Sequence, residues 1–221
     1  MFHPFFIFSL LQFILSQHLH ICNKFDNIST QGECRMEISE NKSTRKRLPK
    51  FYIYFMYFLI FAFLGWLLET FYSLYELGHF TKRGFLYGPI CPIYGFGALI
   101  LILYFTKYRG KSLKLFFYSA IIFSIFEYFV SYFLDALFAQ KWWDYANEFF
   151  NLNGRISIFY SFVWGIAAIL FVNHLYPFFK RKINTLISKI PYNIQLYTLN
   201  LFAVILLSDV VLSVLRHLSF M

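Results

Sequence analysis

The sequence predicts an all-α, polytopic membrane bundle of about five spans with its N-terminus inside, and three observations carry that prediction. Charged residues make up only 14% of the 221 residues while 59% are hydrophobic, whereas a soluble domain is roughly a quarter charged. Apolar windows of about 20 residues, the length that crosses roughly 30 Å of hydrocarbon, recur along the chain. Lysine and arginine fall in blocks that alternate between abundant and sparse from one inter-span segment to the next. The formal net charge of +9 therefore reports orientation and contact with anionic head groups, not nucleic acid.

Residues 1–50 read as a leader and 51–221 as the bundle. Phe2 to Leu15 is apolar but short for a span, and lacks the basic n-region and small-residue cleavage site of a secretory signal. A polar, basic stretch from Glu37 to Lys50 follows Met36, so Met36 is the expected initiator, with 1–35 as mis-called upstream sequence. The spans are Phe51–Tyr75, Tyr87–Phe105, Leu115–Phe138, Ile156–Tyr176 and Tyr192–Leu215. The leader (Lys42, Arg45, Lys46, Arg47, Lys50), the second loop (Lys107, Arg109, Lys111, Lys114) and the fourth (Lys180, Arg181, Lys182, Lys189) are rich in cations. The first and third loops hold only Lys82, Arg83, Lys141 and Arg155, and the tail Arg216. Basic loops stay cytoplasmic, so the C-terminus lies outside.

An ionised group alone in lipid costs several kcal/mol, so polar residues inside spans mark faces that meet protein. Gly65, Glu69, Tyr72 or Ser73, and Glu76 share one face of the first span; Ser124, Glu127, Ser131 and Asp135 share one of the third. The fourth has Ser157, Ser161, Trp164, Gly165 and Ala168; the fifth has Asp209, Ser213 and Arg216 or His217. With the orientation above, the acids and Arg83 and Arg155 lie on the outer side. The expectation is an outward polar cluster in which Glu69, Glu127, Arg83 and Arg155 pair. The same residues also suit a purely structural set of satisfied pairs.

The segment from Gly78 to Gly97 gathers Gly84, Gly88, Pro89, Pro92, Gly95 and Gly97 between two apolar runs. It reads either as a capped, closely packed helix start or as a broken, re-entrant helix, which is tolerated where it lines a protein-enclosed cavity. Trp142-Trp143-Asp144-Tyr145, ahead of Asn153-Gly154-Arg155, reads either as an interfacial aromatic belt or as a fold-back hairpin that sets Arg155. Gly110-Lys111-Ser112 fails as a phosphate loop, because Phe105 stands where glycine is required and no strand precedes it. The histidines and the three cysteines have no ligand or disulfide spacing. No metal, cofactor, hydrolase triad or nucleotide-hydrolysing site is expected.

Gly65-Trp66 with Glu69, Arg83-Gly84-Phe85-Leu86, Gly88-Pro89-Ile90-Cys91-Pro92-Ile93-Tyr94-Gly95, Glu127-Tyr128, Trp142-Trp143-Asp144-Tyr145, Asn153-Gly154-Arg155-Ile156 and Trp164-Gly165 occur in that order. This set, from about Tyr57 to Pro177, resembles the bacterial ABC-transporter type IV family, the CmpB-like permeases. The chain departs from the family pattern at Lys82, where Asn commonly precedes Arg-Gly-Phe, and at Asp135, where Glu is usual. The resemblance implies a multi-pass permease subunit of the cell membrane, embedded in the lipid bilayer, partnered by a separate ATPase and acting on an unknown substrate. Substrate contacts would fall to Glu69, Arg83, Glu127, Asp144 and Arg155. A membrane-embedded enzyme on lipid or envelope precursors, with Glu69 or Glu127 as general acid or base, and a non-catalytic scaffold or regulator are the rival classes.

Overall fold

The computed structural model describes residues 48–82 and 84–219; the leader expectations for residues 1–47 and the role given to Arg83 lie outside the described residues. Helix α1 is Lys50–Leu77, α2 is Pro92–Ile100, α3 is Ser112–Phe138, α4 is Ile158–Leu170, α5 is Tyr176–Ile187 and α6 is Tyr192–Leu218. Four helical stretches are long and apolar enough to cross a membrane: α1 to Tyr75, α3, the continuous Ile158–Ile187, and α6. The fifth, Pro92–Tyr108, is shorter. An all-α membrane bundle is therefore observed.

Two π-helical turns interrupt the ladder. Leu101–Phe105 follows α2 and leads into a 3₁₀ turn at Thr106–Tyr108; Phe171–Leu175 joins α4 to α5. These turns pack on each other. Around them lies the inner core, with Tyr57, Phe61, Leu115, Phe123 and Ile183 buried alongside Ile102, Phe105 and Val172.

Two predicted boundaries move. The expected span Tyr87–Phe105 begins helically only at Pro92. Pro89 and Pro92 supply no N–H, and Cys91, as the residue before a proline, is held extended at φ −108°, ψ 98°. The fourth span runs eleven residues past Tyr176, to Ile187, so Lys180, Arg181 and Lys182 stand on a helix, not in a loop. Their stems can lie along the apolar face while the charges reach water.

The helices meet on the faces the polar residues marked. Gly65, Glu69, Tyr72 and Ser73 are all buried on α1. A Cβ on Gly65 would collide with the Tyr94 ring, and one on Gly95 would lie 2.9 Å from the Phe58 carbonyl oxygen. Glycine at these positions is what lets α1 and α2 approach closely, as membrane helices without a hydrophobic drive between them require. Between α3 and α4, Ser124 and Ser161 hydroxyls lie 2.5 Å apart, and Gly165 faces the Phe116 ring.

Candidate functional site: a pinned segment and two buried carboxylates

Residues 78–82 and 84–91 make no helix, and their path defines the site. Gly78 ends α1 in the left-handed region at φ 70°. From there the chain descends until the Cys91 N–H donates to the Ala62 carbonyl, 3.1 Å away. Ala62 lies fifteen residues before Leu77, so the segment reaches about 22 Å below the outer end of α1 at about 1.5 Å per residue. It reaches the middle of a helix about 42 Å long. Both readings of the Gly/Pro stretch find a counterpart: it is broken, non-helical down to mid-depth, and it then starts a closely packed helix with Pro92 in its first turn and Gly95 against Phe58.

Irregular backbone at that depth needs partners for its N–H and C=O groups, and α6 supplies them. The Asp209 carboxylate accepts the Tyr87 N–H at 2.7 Å and the Gly88 N–H at 2.8 Å. Ser213 accepts from Tyr87 at 3.2 Å and donates to Asp209 at 3.0 Å. One turn further out, Arg216 donates to the Phe85 carbonyl at 2.9 Å and lies 4.2 Å from the Tyr87 ring centroid, with Lys82 over the same ring at 4.1 Å. Burial, and then the nearby Arg216, hold the Lys82 ammonium below its usual pKa, while Asp209 opposes the shift. Leu86, fully buried, anchors the segment. Outside it, a cavity of about 540 Å³ opens between Tyr87 and Leu212, Leu215 and Arg216 of α6.

Two acids are buried in the same half of the bundle: Glu69 lies on α1 between Ala62 and Leu77, level with the segment, and Glu127 lies on α3. Glu69 and Glu127 are 7% and 6% exposed. The Tyr94 hydroxyl, at the start of α2, donates to Glu69. Glu127 accepts from the Tyr145 hydroxyl at 2.9 Å and from the Trp164 indole N–H at 3.1 Å. Burial and the Glu127 carboxylate raise the Tyr145 hydroxyl pKa well above its ordinary value, and Glu69 adds to the rise. Both acids therefore act on one tyrosine. Among the described residues, neutral donors rather than cations hold Glu127 in place.

That corrects the expected pairing. Arg155 meets Asp135 at 2.7 Å and Ser131 at 3.2 Å, not Glu127. The cause is height: Asp135 lies eight residues, about 12 Å, outward of Glu127 on α3, level with the loop that carries Arg155. The loop is a fold-back hairpin. Asn151–Leu152 pairs antiparallel with Ile156–Ser157, and Asn153 and Gly154 turn it at φ 55° and 68°. Gly154 is required twice over, since a Cβ there would also strike the Asp144 carboxylate. Asn153 donates to the Tyr128 hydroxyl, the Trp143 indole donates to the Arg155 carbonyl at 3.0 Å, and the Tyr145 N–H donates to the Gly154 carbonyl at 2.8 Å. Trp143 and Tyr145 are buried against Tyr160, with Trp142 packed beside them, so the aromatic cluster forms a lid on the bundle, not an interfacial belt.

Asp144 stands apart from the two buried acids. It is exposed, pairs with Lys141 at 3.5 Å and accepts the Ala146 N–H at 2.9 Å, so its visible work is shaping the hairpin. Sequence reasoning marked Asp209 and Ser213 only as a helix face and did not assign Tyr145, Trp164 or Tyr94 to the acids. The usable signal was chemical: a carboxylate buried in lipid needs donors, and Tyr and Trp were the donors within the same motifs.

Residues 56–214 match the family described as Putative ABC-transporter type IV. The chain belongs to this family. The matched region takes in every helix of the bundle except the first turns of α1 and the end of α6, and it includes both buried acids and the pinned segment. No curated protein and no solved structure matches the chain. For this ABC-transporter type IV chain, the site geometry is accordingly read from its own residues.

Proposed function

We propose that the chain is the membrane-spanning, permease-like subunit of a transport system, driven by a separate ATPase that engages the cytoplasmic loop 107–114 and the basic end of α5. One observation carries the reading: a non-helical segment that reaches mid-depth, held by side chains of one helix, in a bundle that also buries two acids. Broken helices at the midplane are a recurring way to build a gated polar site in transporters, and intramembrane acids are functional by default. In this reading, Glu69 and Glu127 face the passing solute. Residues 84–91 form the outer gate. Release of Tyr87 and Gly88 from Asp209 opens it. Family membership supports the ABC-type assignment.

The test is affinity capture of the full chain from membranes of its native host, followed by mass spectrometry and by ATPase assay in proteoliposomes. The expected result is a nucleotide-binding protein captured in fixed ratio, whose ATP turnover falls at least about tenfold when Glu127→Gln replaces the wild type at equal abundance. Capture without any ATPase, or turnover indifferent to Glu127, would overturn the reading.

A further inference from the structure

At the opposite end of the bundle, a cavity of about 500 Å³ opens between the 3₁₀ turn after α2 and the first two turns of α5. Arg109, Lys180 and Arg181 line it, with Thr106, Tyr176 and Asn184; Val172, fully buried, contributes to its floor. None of the three cations has an acidic partner within ion-pair distance among the described residues. None is available nearby in sequence either. Every Asp and Glu from Leu48 onward (Glu69, Glu76, Glu127, Asp135, Asp144, Glu148 and Asp209) belongs to the outer half or the outer loops by the orientation derived above. Three like charges converging on one cavity repel unless an anion joins them.

The cavity is also built. The Gly110 N–H donates to the Asn173 side-chain oxygen at 3.1 Å, which fixes the loop carrying Arg109 to the π turn of the fourth span. The Lys180 ammonium sits 5.7 Å from the Tyr176 ring centroid. Both π turns, Leu101–Phe105 and Phe171–Leu175, abut here and pack on one another. A π turn relaxes the helical ladder and is frequent at functional sites. Here the two turns lie just ahead of Thr106 and Tyr176, which line the cavity.

We propose that this cavity binds a phosphoryl anion, with Arg109 and Arg181 as its hydrogen-bonding forks and Lys180 as the third charge. Guanidinium groups match phosphate oxygens in pairs, and a basic pocket between helices on the cytoplasmic side suits a phosphorylated head group whose tails leave along the apolar wall. The phosphoryl group comes either from an anionic lipid or from a soluble phosphate, and the two are separated by experiment. The site stands whether or not the permease reading holds.

The test uses the purified, delipidated full chain in neutral detergent, titrated with phosphatidylglycerol, with phosphatidylcholine or with inorganic phosphate, and read by the thermal unfolding midpoint. The expected result is a saturable rise with phosphatidylglycerol, with inorganic phosphate or with both. The apparent affinity falls about tenfold or more in the Arg109→Gln/Arg181→Gln variant, and is unchanged in Lys50→Gln, an exposed cation on the same side outside the cavity. A rise with phosphatidylglycerol alone assigns a lipid; a rise with inorganic phosphate that competes with the lipid assigns a soluble ligand. Asn184→Asp, which places a carboxylate in the cavity, gives the same loss and serves should the double variant fail to fold. Flat titrations with both probes, equal response to phosphatidylcholine, or equal affinity across the variants would overturn the proposal.

Discussion

The outer and cytoplasmic halves of this bundle use their charges in opposite ways. In the outer half, polar groups are matched internally: Arg155 to Asp135, Arg216 to the Phe85 carbonyl, Asp209 to two backbone amides, and Glu127 to Tyr145 and Trp164. In the cytoplasmic half, Arg109, Lys180 and Arg181 converge with no acid among them. The outer half thus spends its polarity on holding a non-helical segment inside the membrane. The inner half is held by apolar and aromatic packing, and its three converging cations have no acidic partner among the described residues. Charge alone does not mark a functional site; what matters is whether the fold already consumes it.

The largest expected effect comes from breaking the outer match at its most buried point. Glu127→Leu leaves the Tyr145 hydroxyl and the Trp164 indole N–H without an acceptor, at about 1–3 kcal/mol for each orphaned donor, so a loss on the order of 2–6 kcal/mol is expected. Tryptophan fluorescence during denaturation in detergent reads it, and Glu127→Gln, which keeps one acceptor oxygen, should lose clearly less. Arg155→Ala comes next. The pair is only partly buried, with the arginine and Asp135 side chains 14% and 30% exposed. The expected cost is therefore about 1–3 kcal/mol, below the 3–5 typical of a fully buried pair that loses one partner, and Asp135→Asn in the same background should recover part of it.

A smaller effect separates the halves by pH. The folded Tyr145 hydroxyl titrates above its ordinary value of 10.0 because burial and the Glu127 carboxylate disfavour the phenolate. The folded state therefore retains a proton that the unfolded chain loses first. The resulting stabilisation is fully present below about pH 10 and declines as pH rises beyond it. Tyr145→Phe should flatten that alkaline decline in an unfolding midpoint measured from pH 8 to 11, and substitutions of the inner cations should not. The smallest effect sharpens the contrast from the other side. Single Arg109→Gln, Lys180→Gln and Arg181→Gln variants of the delipidated protein should stay within about 0.5 kcal/mol of wild type, as surface changes away from packed features do.

Much of this organisation was legible in the residues. Helical spacing picked out the buried face of α1 from Gly65 to Ser73, while the orientation remains what the cation blocks predict. What escaped was depth and partner. Periodicity says which side of a helix faces protein but not what stands opposite it, so Arg155 is expected in one cluster with Glu69, Glu127 and Arg83, whereas the hairpin places it two turns above Glu127, at Asp135. The span expected from Tyr87 begins with residues that are bent and non-helical in the fold, since Asp209, more than a hundred residues away, accepts the Tyr87 and Gly88 amides. No local pattern encodes such a bond. Asn153-Gly154 did carry a local signal for a tight turn, and the paired strands around it followed from that signal.

The central claim is that residues 84–91 are held inside the bundle by α6, and Cys91 reports on it directly. Its side chain is buried, at 2% exposure, and it is the free cysteine among the described residues. In a Cys22→Ser/Cys34→Ser background, a membrane-impermeant maleimide added from the outer side should leave Cys91 unlabelled in the wild-type segment. It should label Cys91 at least about tenfold faster in Asp209→Ala, where two charge-assisted bonds worth about 1.5–3 kcal/mol each are lost. Equal labelling rates in the two proteins would contradict the account.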